Sequence, residues 1–255
     1  MNVILIAVIV LGAIGLVAAL ILFLAARKFA VHEDERIGQV QEQLPGANCG
    51  GCGFPGCSGF AGACVKAADK GSLEGLLCPV GGQPVMEKVA GILGMKAEAS
   101  APKVAVVRCG GTCESRPRIA EFDGAQSCRV QQMLGSGETA CAYGCLGYGN
   151  CVSACKFGAL EIVDGVAKVD HEKCQGCLAC VSVCPKKLIV AVPYTAAGLI
   201  PCNNTDKGGI TRKVCESGCI GCRICEKNCP HNAVHIVDNL SVKDYSKCQN
   251  CGICA

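Results

Sequence analysis

The stretch CIGCRICEKNCP, from Cys219 to Pro230, decides the fold together with CQNCGIC, from Cys248 to Cys254. The first stretch has the spacing CxxCxxCxxxCP, and the second has CxxCxxC. Cysteines at these intervals bind 4Fe-4S clusters, and in paired runs the fourth cysteine of one run binds the cluster of the other. The predicted ligands are Cys229, Cys248, Cys251 and Cys254 for one cluster, and Cys219, Cys222 and Cys225 for a second. The second set needs a fourth thiolate, which the spacing places three residues beyond Ala255, so we expect the natural chain to continue.

The same pattern occurs a second time, 74 residues nearer the N-terminus. Eight cysteines each have a counterpart 74 positions later. The pairs are Cys128 with Cys202, Cys141 with Cys215, Cys145 with Cys219, Cys151 with Cys225, Cys155 with Cys229, Cys174 with Cys248, Cys177 with Cys251, and Cys180 with Cys254. A repeat of this length indicates two copies of one structural unit.

Each copy also carries the signal of a small β-hairpin. The apolar runs Leu160 to Val163 and Val234 to Val237 are followed by Asp164-Gly165 and Asp238-Asn239. Such dipeptides suit the tight primed turns that join two antiparallel strands. We therefore predict one hairpin in each copy.

The first copy has one complete set of cluster ligands and one incomplete set. The complete set is Cys155, Cys174, Cys177 and Cys180, and the incomplete set is Cys145, Cys151 and Cys184. Tyr148 stands where the second copy has Cys222. Three explanations are open: Cys141 supplies the missing thiolate, the site holds a three-iron cluster, or the loop is rearranged around another cysteine. We favour Cys141.

Further cysteines have no assigned partner. Cys109, Cys113 and Cys128 could join Cys141 or Cys202 in an additional cluster, or be free thiols. Cys202 and Cys215 match cysteines of the first copy, although the second copy already has its ligands. We assign them no role.

An earlier stretch, NCGGCGFPGC from Asn48 to Cys57, forms another group with the CPVGGQ that begins at Cys78. Its predicted ligands are Cys49, Cys52, Cys57 and Cys78, which suit one 4Fe-4S cluster. The glycines let the loop fold tightly around a bulky group. A zinc site with four thiolates is the alternative. Cys64 lies in a predicted helix from Ser58 to Lys70, and we expect it to be a buried non-ligand.

Composition excludes several classes of protein. The chain has 25 cysteines in 255 residues, 4% aromatic residues, no Trp and a net charge of +3. These values give no signal of nucleic-acid binding. Tight CxxC runs favour metal over disulfides, and metal-ligand bonds are then expected to supply much of the folding free energy.

The N-terminal segment is predicted to be a membrane anchor. The segment from Val3 to Ala26 has no charged residue, and as a helix it would be about 36 Å long, enough to cross a hydrocarbon core of about 30 Å. Arg27 and Lys28 follow it. Because positive charge marks the inner side, we expect the downstream chain in the cytoplasm, where thiols stay reduced.

Together these signals predict an α+β protein. We expect one transmembrane helix, a small four-cysteine Fe-S module and tandem two-cluster ferredoxin-like (βαβ) units. The expected boundaries are 1–27 for the anchor, 28–92 for the N-terminal 4Fe-4S domain, 93–108 for a linker, 109–200 for the first ferredoxin-like unit with its N-terminal extension, and 201–255 for the second, truncated unit. About five clusters are expected, or six with the additional site.

An apolar N-terminal helix, then NCGGCGFPGC with CPVGGQ, then ferredoxin-like units resembles the B subunit of the Rnf complex, in a longer, cluster-rich form. The Rnf complex is the ion-translocating ferredoxin:NAD oxidoreductase of bacterial membranes. The resemblance implies that the chain accepts electrons from soluble reduced ferredoxin and relays them to flavin-bearing partner subunits coupled to ion transport. It also implies a single-pass protein of the bacterial inner membrane that is one subunit of a translocase.

Other functions remain as alternatives. The chain could be a polyferredoxin arm of a membrane hydrogenase or formate dehydrogenase, or a zinc-bound structural protein. The sequence contains no Walker loop or Ser/His/Asp arrangement, so no substrate-converting active site is predicted. Lysines near the cysteines could steer an acidic ferredoxin. They are Lys156, Lys173, Lys186, Lys187, Lys227 and Lys247.

Overall fold

The computed structural model describes residues 2–28, 34–97, 101–196 and 199–254. Its helices are α1 (Asn2–Lys28), α2 (Glu35–Gln43), α3 (Cys57–Ala68), α4 (Gly82–Ile92), α5 (Cys128–Leu134), α6 (Asn150–Ala154), α7 (Ala179–Val183), α8 (Gly208–Val214) and α9 (Ile224–Lys227). Its strands are β1 (Lys103–Val107), β2 (Leu160–Val163), β3 (Val166–Val169), β4 (Ile189–Pro193), β5 (Val234–Val237) and β6 (Leu240–Lys243). The protein is therefore a mixture of helices and short strands.

Helix α1 is apolar on every side and ends with Arg27 and Lys28 in its last turn. Its stretch from Ile4 to Lys28 packs against no other part of the described chain and is long and apolar enough to cross a membrane. The helix therefore has the length and composition that the sequence predicted for an anchor.

Helices α2, α3 and α4 form a small helical module with its own core. Val40, Phe60, Cys64 and Val89 are almost fully buried in that core. Helix α2 begins at a capping residue, Asp34, whose carboxylate accepts a hydrogen bond from the backbone N–H of Arg36 at 2.9 Å. Helix α3 matches the helix predicted from Ser58 to Lys70 within two residues. The loop before α3 contacts the rest of the chain, at Gly51 and Asn48.

The 74-residue repeat is visible in the secondary structure. Helix α6 recurs as α9, and the hairpin of β2 and β3 recurs as that of β5 and β6. The turn residues Asp164 and Gly165 have φ of 49° and 76°, and Asp238 and Asn239 have 48° and 62°. Two consecutive positive φ values define a type I′ turn. Both predicted hairpins are confirmed.

Strands β1 and β4 form an antiparallel pair that the sequence did not predict. The stretch KVAVV, Lys103–Val107, falls in the predicted linker and pairs with Ile189–Pro193 in the register Lys103↔Pro193. Residues 98–100 of that linker lie outside the described residues. The alternating side chains of β1 face two cores, because successive residues of a strand point to opposite faces.

The two faces of this pair contact both copies of the repeat. Ala105 packs in a core with Leu160, Cys151 and Cys180 of the first copy. Val104 and the other residues of the opposite face pack against Tyr245, which belongs to the second copy. The β1–β4 pair thereby contacts both copies of the repeat.

Candidate iron-sulfur cluster sites

The four cysteines of the helical module line one pocket. Cys49, Cys52, Cys57 and Cys78 surround it, together with Phe60 and short loop residues. The side-chain oxygen of Asn48 accepts a hydrogen bond from the backbone N–H of Cys57 at 2.8 Å, and the N–H of Gly81 donates to the sulfur of Cys78 at 3.3 Å. The structure therefore brings together all four predicted ligands of this module.

Cys64 lies outside that ring, as expected. Its side chain is fully buried in helix α3, and burial raises the pKa of its thiol to about 12. A thiol in such apolar surroundings stays neutral and behaves as a small hydrophobic side chain. Cys64 is thus a core residue of the module.

The CxxCxxC loops share one backbone conformation. In each loop the residues just before and just after the second cysteine position have a positive φ, between 56° and 79°. These residues are Gly147 and Gly149, Gly176 and Leu178, Gly221 and Arg223, and Asn250 and Gly252. Left-handed residues at these two points turn the loop so that its cysteines face a common centre. The loop with Tyr148 keeps this conformation.

A fourth cysteine that the sequence did not predict for this site lies beside the incomplete set of the first copy. One pocket is lined by Cys145, Cys151 and Cys184, and by Cys128 at the start of helix α5. The backbone N–H of Cys128 donates to the side-chain oxygen of Asn150 at 2.9 Å, which holds α5 against the cysteine loop. The pocket is otherwise mostly apolar. Cys128 is thus the fourth cysteine that lines this pocket.

Cys141, which we favoured for that role, lies elsewhere. It lines a different pocket with Cys109, Cys202 and Cys215, between the two copies of the repeat. Cys141 precedes the loop by only four residues, so it was the nearest candidate along the chain. Cys128 is more distant in sequence, and it lies beside the loop at the start of α5. The signal that could have found it is its place in the repeat, since Cys128 is matched to Cys202.

The complete set of the first copy is also brought together. The thiol of Cys177 interacts electrostatically with those of Cys155 and Cys174, and Cys180 with Cys177 and Cys174. Burial raises the pKa of Cys180 to about 12, and that of Cys151 in the neighbouring set to about 11. Metal ligation requires deprotonated thiols, so loading these sites would release protons.

In the second copy, one pocket contains a full set of predicted ligands. Cys229, Cys248, Cys251 and Cys254 line it. Backbone N–H groups, first that of Ala233, lower the pKa of the Cys229 thiol. Cys219, Cys222 and Cys225 lie in their own CxxCxxC loop, where Cys225 and Ser241 are in contact at 3.3 Å between sulfur and oxygen. The fourth ligand expected for these three lies outside the described residues.

One hydrogen bond recurs at the last cysteine of three runs. Cys155, Cys184 and Cys229 each accept a hydrogen bond at sulfur from the backbone N–H four residues later, at 3.4, 3.4 and 3.2 Å. An N–H group aimed at a sulfur stabilises negative charge there and is one of the factors that set a cluster's potential. The repeated bond suits thiolates that carry such charge.

Cys113, predicted as an optional ligand, joins none of these rings. It is exposed, and its backbone N–H donates to Asp164 O at 2.9 Å. In the described ranges, no group of three or more His, Cys, Asp or Glu side chains has the spacing that holds a single metal ion. Zinc needs its four sulfurs about 2.3 Å from one centre.

Two of the lysines considered for ferredoxin docking serve other contacts. Lys186 is half-buried and donates from Nζ to the backbone oxygens of Ser136 and Ala142, at 2.9 and 2.5 Å. Lys156 donates from Nζ to Asn48 O at 2.7 Å and so ties the helical module to the first copy. Lys187 is exposed.

The chain matches two families of Fe-S protein. Residues 44–70 match the family described as a putative Fe-S cluster, and residues 167–190 and 216–235 match the 4Fe-4S binding domain. A relative from Acetobacterium woodii, the B subunit of the Na(+)-translocating ferredoxin:NAD(+) oxidoreductase complex, is 44% identical over all of this chain and 75% of its own length.

Two further relatives carry similar names. The B subunit of the ion-translocating oxidoreductase complex of Methanosarcina acetivorans is 36% identical over 96% of this chain and 92% of its own length. The B subunit of the proton-translocating ferredoxin:NAD(+) oxidoreductase complex of Clostridium ljungdahlii is 40% identical over 98% of this chain and 88% of its own length. The chain belongs to the family of Rnf complex B subunits.

In this Rnf protein, the family matches leave many cysteines uncovered. The matched residues, 44–70, 167–190 and 216–235, contain the helical module's first three predicted ligands and one cysteine run of each copy. Cys109, Cys128, Cys141, Cys202 and Cys215 fall outside them. The cysteines that line the pocket between the two copies are therefore assigned by none of these matches.

Proposed function

We propose that this member of the Rnf family is a membrane-anchored electron carrier that accepts electrons from soluble reduced ferredoxin and relays them to flavin-bearing subunits of an ion-translocating ferredoxin:NAD oxidoreductase. The observation that carries the proposal is the set of four-cysteine rings, which suit clusters, in a chain of this family. Bound 4Fe-4S clusters would supply one-electron transfer. The chain's own residues hold, space and shield them.

The proposed ligand sets follow the rings. They are Cys49, Cys52, Cys57 and Cys78 in the helical module; Cys128, Cys145, Cys151 and Cys184, and Cys155, Cys174, Cys177 and Cys180, in the first copy; and Cys219, Cys222 and Cys225, and Cys229, Cys248, Cys251 and Cys254, in the second. We propose that the two copies are tandem two-cluster ferredoxin-like units, with the domain boundaries given above and β1 added to the first unit.

Contacts between ligand loops support a relay. Gly51 lies against the backbone of Cys177, where a side chain would clash, and the thiols of Cys49 and Cys177 interact electrostatically. Cys151 and Cys180, from the two sets of the first copy, interact in the same way. Loops in contact keep neighbouring sites close, which favours electron transfer between them.

We propose that α1 spans the bacterial inner membrane once, with the cysteine-bearing part in the cytoplasm. The support is the apolar length of α1 and the position of Arg27 and Lys28 in its last turn. This placement exposes the sites to cytoplasmic ferredoxin. Cysteine labelling of right-side-out and inverted vesicles tests the orientation, with exposed Cys113 as the labelled site, which should react only in inverted vesicles.

The function is tested by anaerobic purification of the full chain. Iron and acid-labile sulfide are measured per chain, and electron paramagnetic resonance spectra are recorded during reductive titration. We expect iron and sulfide in equal amounts and a visible absorbance that ferredoxin bleaches. Bound zinc without iron, or clusters that ferredoxin does not reduce, would contradict the proposal.

A further inference from the structure

Four cysteines outside the family matches line one pocket between the two copies of the repeat. They are Cys109, Cys141, Cys202 and Cys215. The pocket contains about 300 Å³ of space free of atoms, part of it open to solvent, against 310–390 Å³ in three other pockets lined by four cysteines. We propose that these four thiolates hold a further 4Fe-4S cluster that joins the two copies. The inference rests on the proposed function, since it assumes that the chain binds such clusters.

The sulfurs of this pocket already receive hydrogen bonds from the protein. The backbone N–H of Cys145 donates to Cys109 Sγ at 3.4 Å, and that of Asn204 donates to Cys202 Sγ at 3.5 Å. The side-chain amide of Asn204, itself 1% exposed, donates to Cys141 Sγ at 3.8 Å. Donors aimed at sulfur stabilise negative charge on it, as in the other sites. Thiolates bound to a cluster would thus account for the burial of the polar Asn204 side chain.

A buried positive charge lies beside the same pocket. Arg116 is 2% exposed and lines the pocket. One of its terminal nitrogens donates to Cys145 O at 2.8 Å and the other to Gly165 O at 3.4 Å, whereas its Nε has no partner. Among the ion pairs of the described residues, none involves Arg116.

A buried guanidinium without a counter-charge is costly, by several kcal/mol in general. Four thiolates around a cluster carry net negative charge and would supply that counter-charge. Gly111 and Gly144 flank the Arg116 side chain so closely that a Cβ on either would overlap it. The two glycines thus leave room for the Arg116 side chain beside this pocket.

The repeat explains why these cysteines exist. In the first copy Tyr148 replaces a loop cysteine, and Cys128 lines the pocket of that incomplete set. In the second copy Cys222 is present at the loop position that Tyr148 fills in the first, and the counterpart of Cys128 is Cys202. Cys202 lines the pocket between the two copies. Matched cysteines thus serve two different sites.

The position of the pocket fits a connecting site. Cys109 is in contact with Cys145 of the first copy, and Cys202 interacts electrostatically with Cys219 of the second. A cluster here would lie between the proposed ligand sets of the two copies. Electrons could then pass from one copy to the other through ligand loops in contact.

The test compares cysteine variants of the full chain, purified anaerobically from the detergent-solubilised membrane fraction. Cys141→Ser and Cys109→Ser, the latter at the least buried of the four positions, should each lose about four iron and four sulfide per chain, and one spectroscopic component should disappear. Cys113→Ser is the matched control, because Cys113 is a nearby exposed cysteine outside every ring, and it should keep the wild-type content.

Arg116→Gln keeps all 25 cysteines and tests the site even where a cysteine variant fails to fold. Loss of the positive charge should make the midpoint potential of one cluster more negative, and Arg116→Lys should restore it in part. Any one of three results would overturn the inference. They are a wild-type iron content in both cysteine variants, one zinc per chain in place of the iron, and unchanged midpoint potentials in Arg116→Gln. A wild-type chain without iron would instead overturn the proposed function.

Discussion

Replacing Cys128 by serine tests how the first copy compensates for Tyr148. Cys128 is 9% exposed and lines its pocket with Cys145, Cys151 and Cys184. Serine keeps the shape of the side chain, but it removes the thiolate that binds iron. We expect a loss of about one iron per chain if a three-iron cluster persists, and of about four if the whole cluster is lost.

The rescue variant makes this prediction sharper. Gly147 and Gly149 on either side of Tyr148 have φ of 79° and 74°, close to the 65° and 63° on either side of Cys222. A cysteine introduced by Tyr148→Cys would therefore stand on a backbone that already suits a ligand. The double variant Cys128→Ser with Tyr148→Cys should regain the wild-type iron content.

The assay is iron and sulfide analysis with electron paramagnetic resonance of the anaerobic protein. A three-iron signal in Cys128→Ser that vanishes in the double variant is the expected result. The reasoning fails if Cys128→Ser keeps all its iron. It also fails if Tyr148→Cys restores the iron lost from Cys141→Ser, because Cys141 would then be the ligand of this site.

Three further changes have expected outcomes. Phe60→Ala should destabilise the helical module by about 3–5 kcal/mol, because Phe60 is 1% exposed and a cavity would replace its ring; urea denaturation measures this. Gly165→Ala should lower the free energy of unfolding more than Asn239→Ala does at the equivalent turn position. Both changes strain a left-handed residue by about 1 kcal/mol, but only at Gly165 does the Cβ come within 2.6 Å of Cys113 Sγ. Lys187→Glu should slow electron uptake from an acidic ferredoxin and weaken its dependence on salt, as stopped-flow absorbance would record.

The controls follow from neighbouring residues. Phe54→Ala is milder than Phe60→Ala, since Phe54 packs edge-on against Phe60 at 5.7 Å but is only partly buried. A loss at Gly165 smaller than that at Asn239, whose side-chain amide also donates to Thr205 O at 3.1 Å, would contradict the prediction. Lys186 is unsuitable as a docking variant because its amine holds two backbone oxygens. An unchanged salt dependence in Lys187→Glu would remove that residue from the docking surface.

Local signals were the most predictive part of the sequence. Asp164-Gly165 and Asp238-Asn239 force turns by their own conformational preferences, and so the hairpins appeared where expected. The helix that carries Cys64 was also predicted within two residues. The module's four cysteines are separated by local loops and one helix, and they line one pocket.

Features that depend on contacts between distant segments were missed. Lys103–Val107 was assigned to a linker because its partner, Ile189–Pro193, lies far along the chain and the short run shows no cysteine motif. Proximity along the chain favours Cys141 for the incomplete set, whereas the structure places Cys128 in that pocket and Cys141 in another. No rule of spacing joins Cys109 with Cys215; only the packing of the two copies does.

The pairing of β1 with β4 determines where the protein can be cut. A soluble fragment that begins at residue 109 would retain every cysteine of both copies, yet it would leave Ile189–Pro193 without its partner strand. The freed edge is rich in β-branched residues, and unpaired edges of this kind recruit other chains and promote aggregation. A fragment that begins before Lys103 keeps this edge paired with β1. The start of such a fragment therefore has to lie several residues upstream of Cys109.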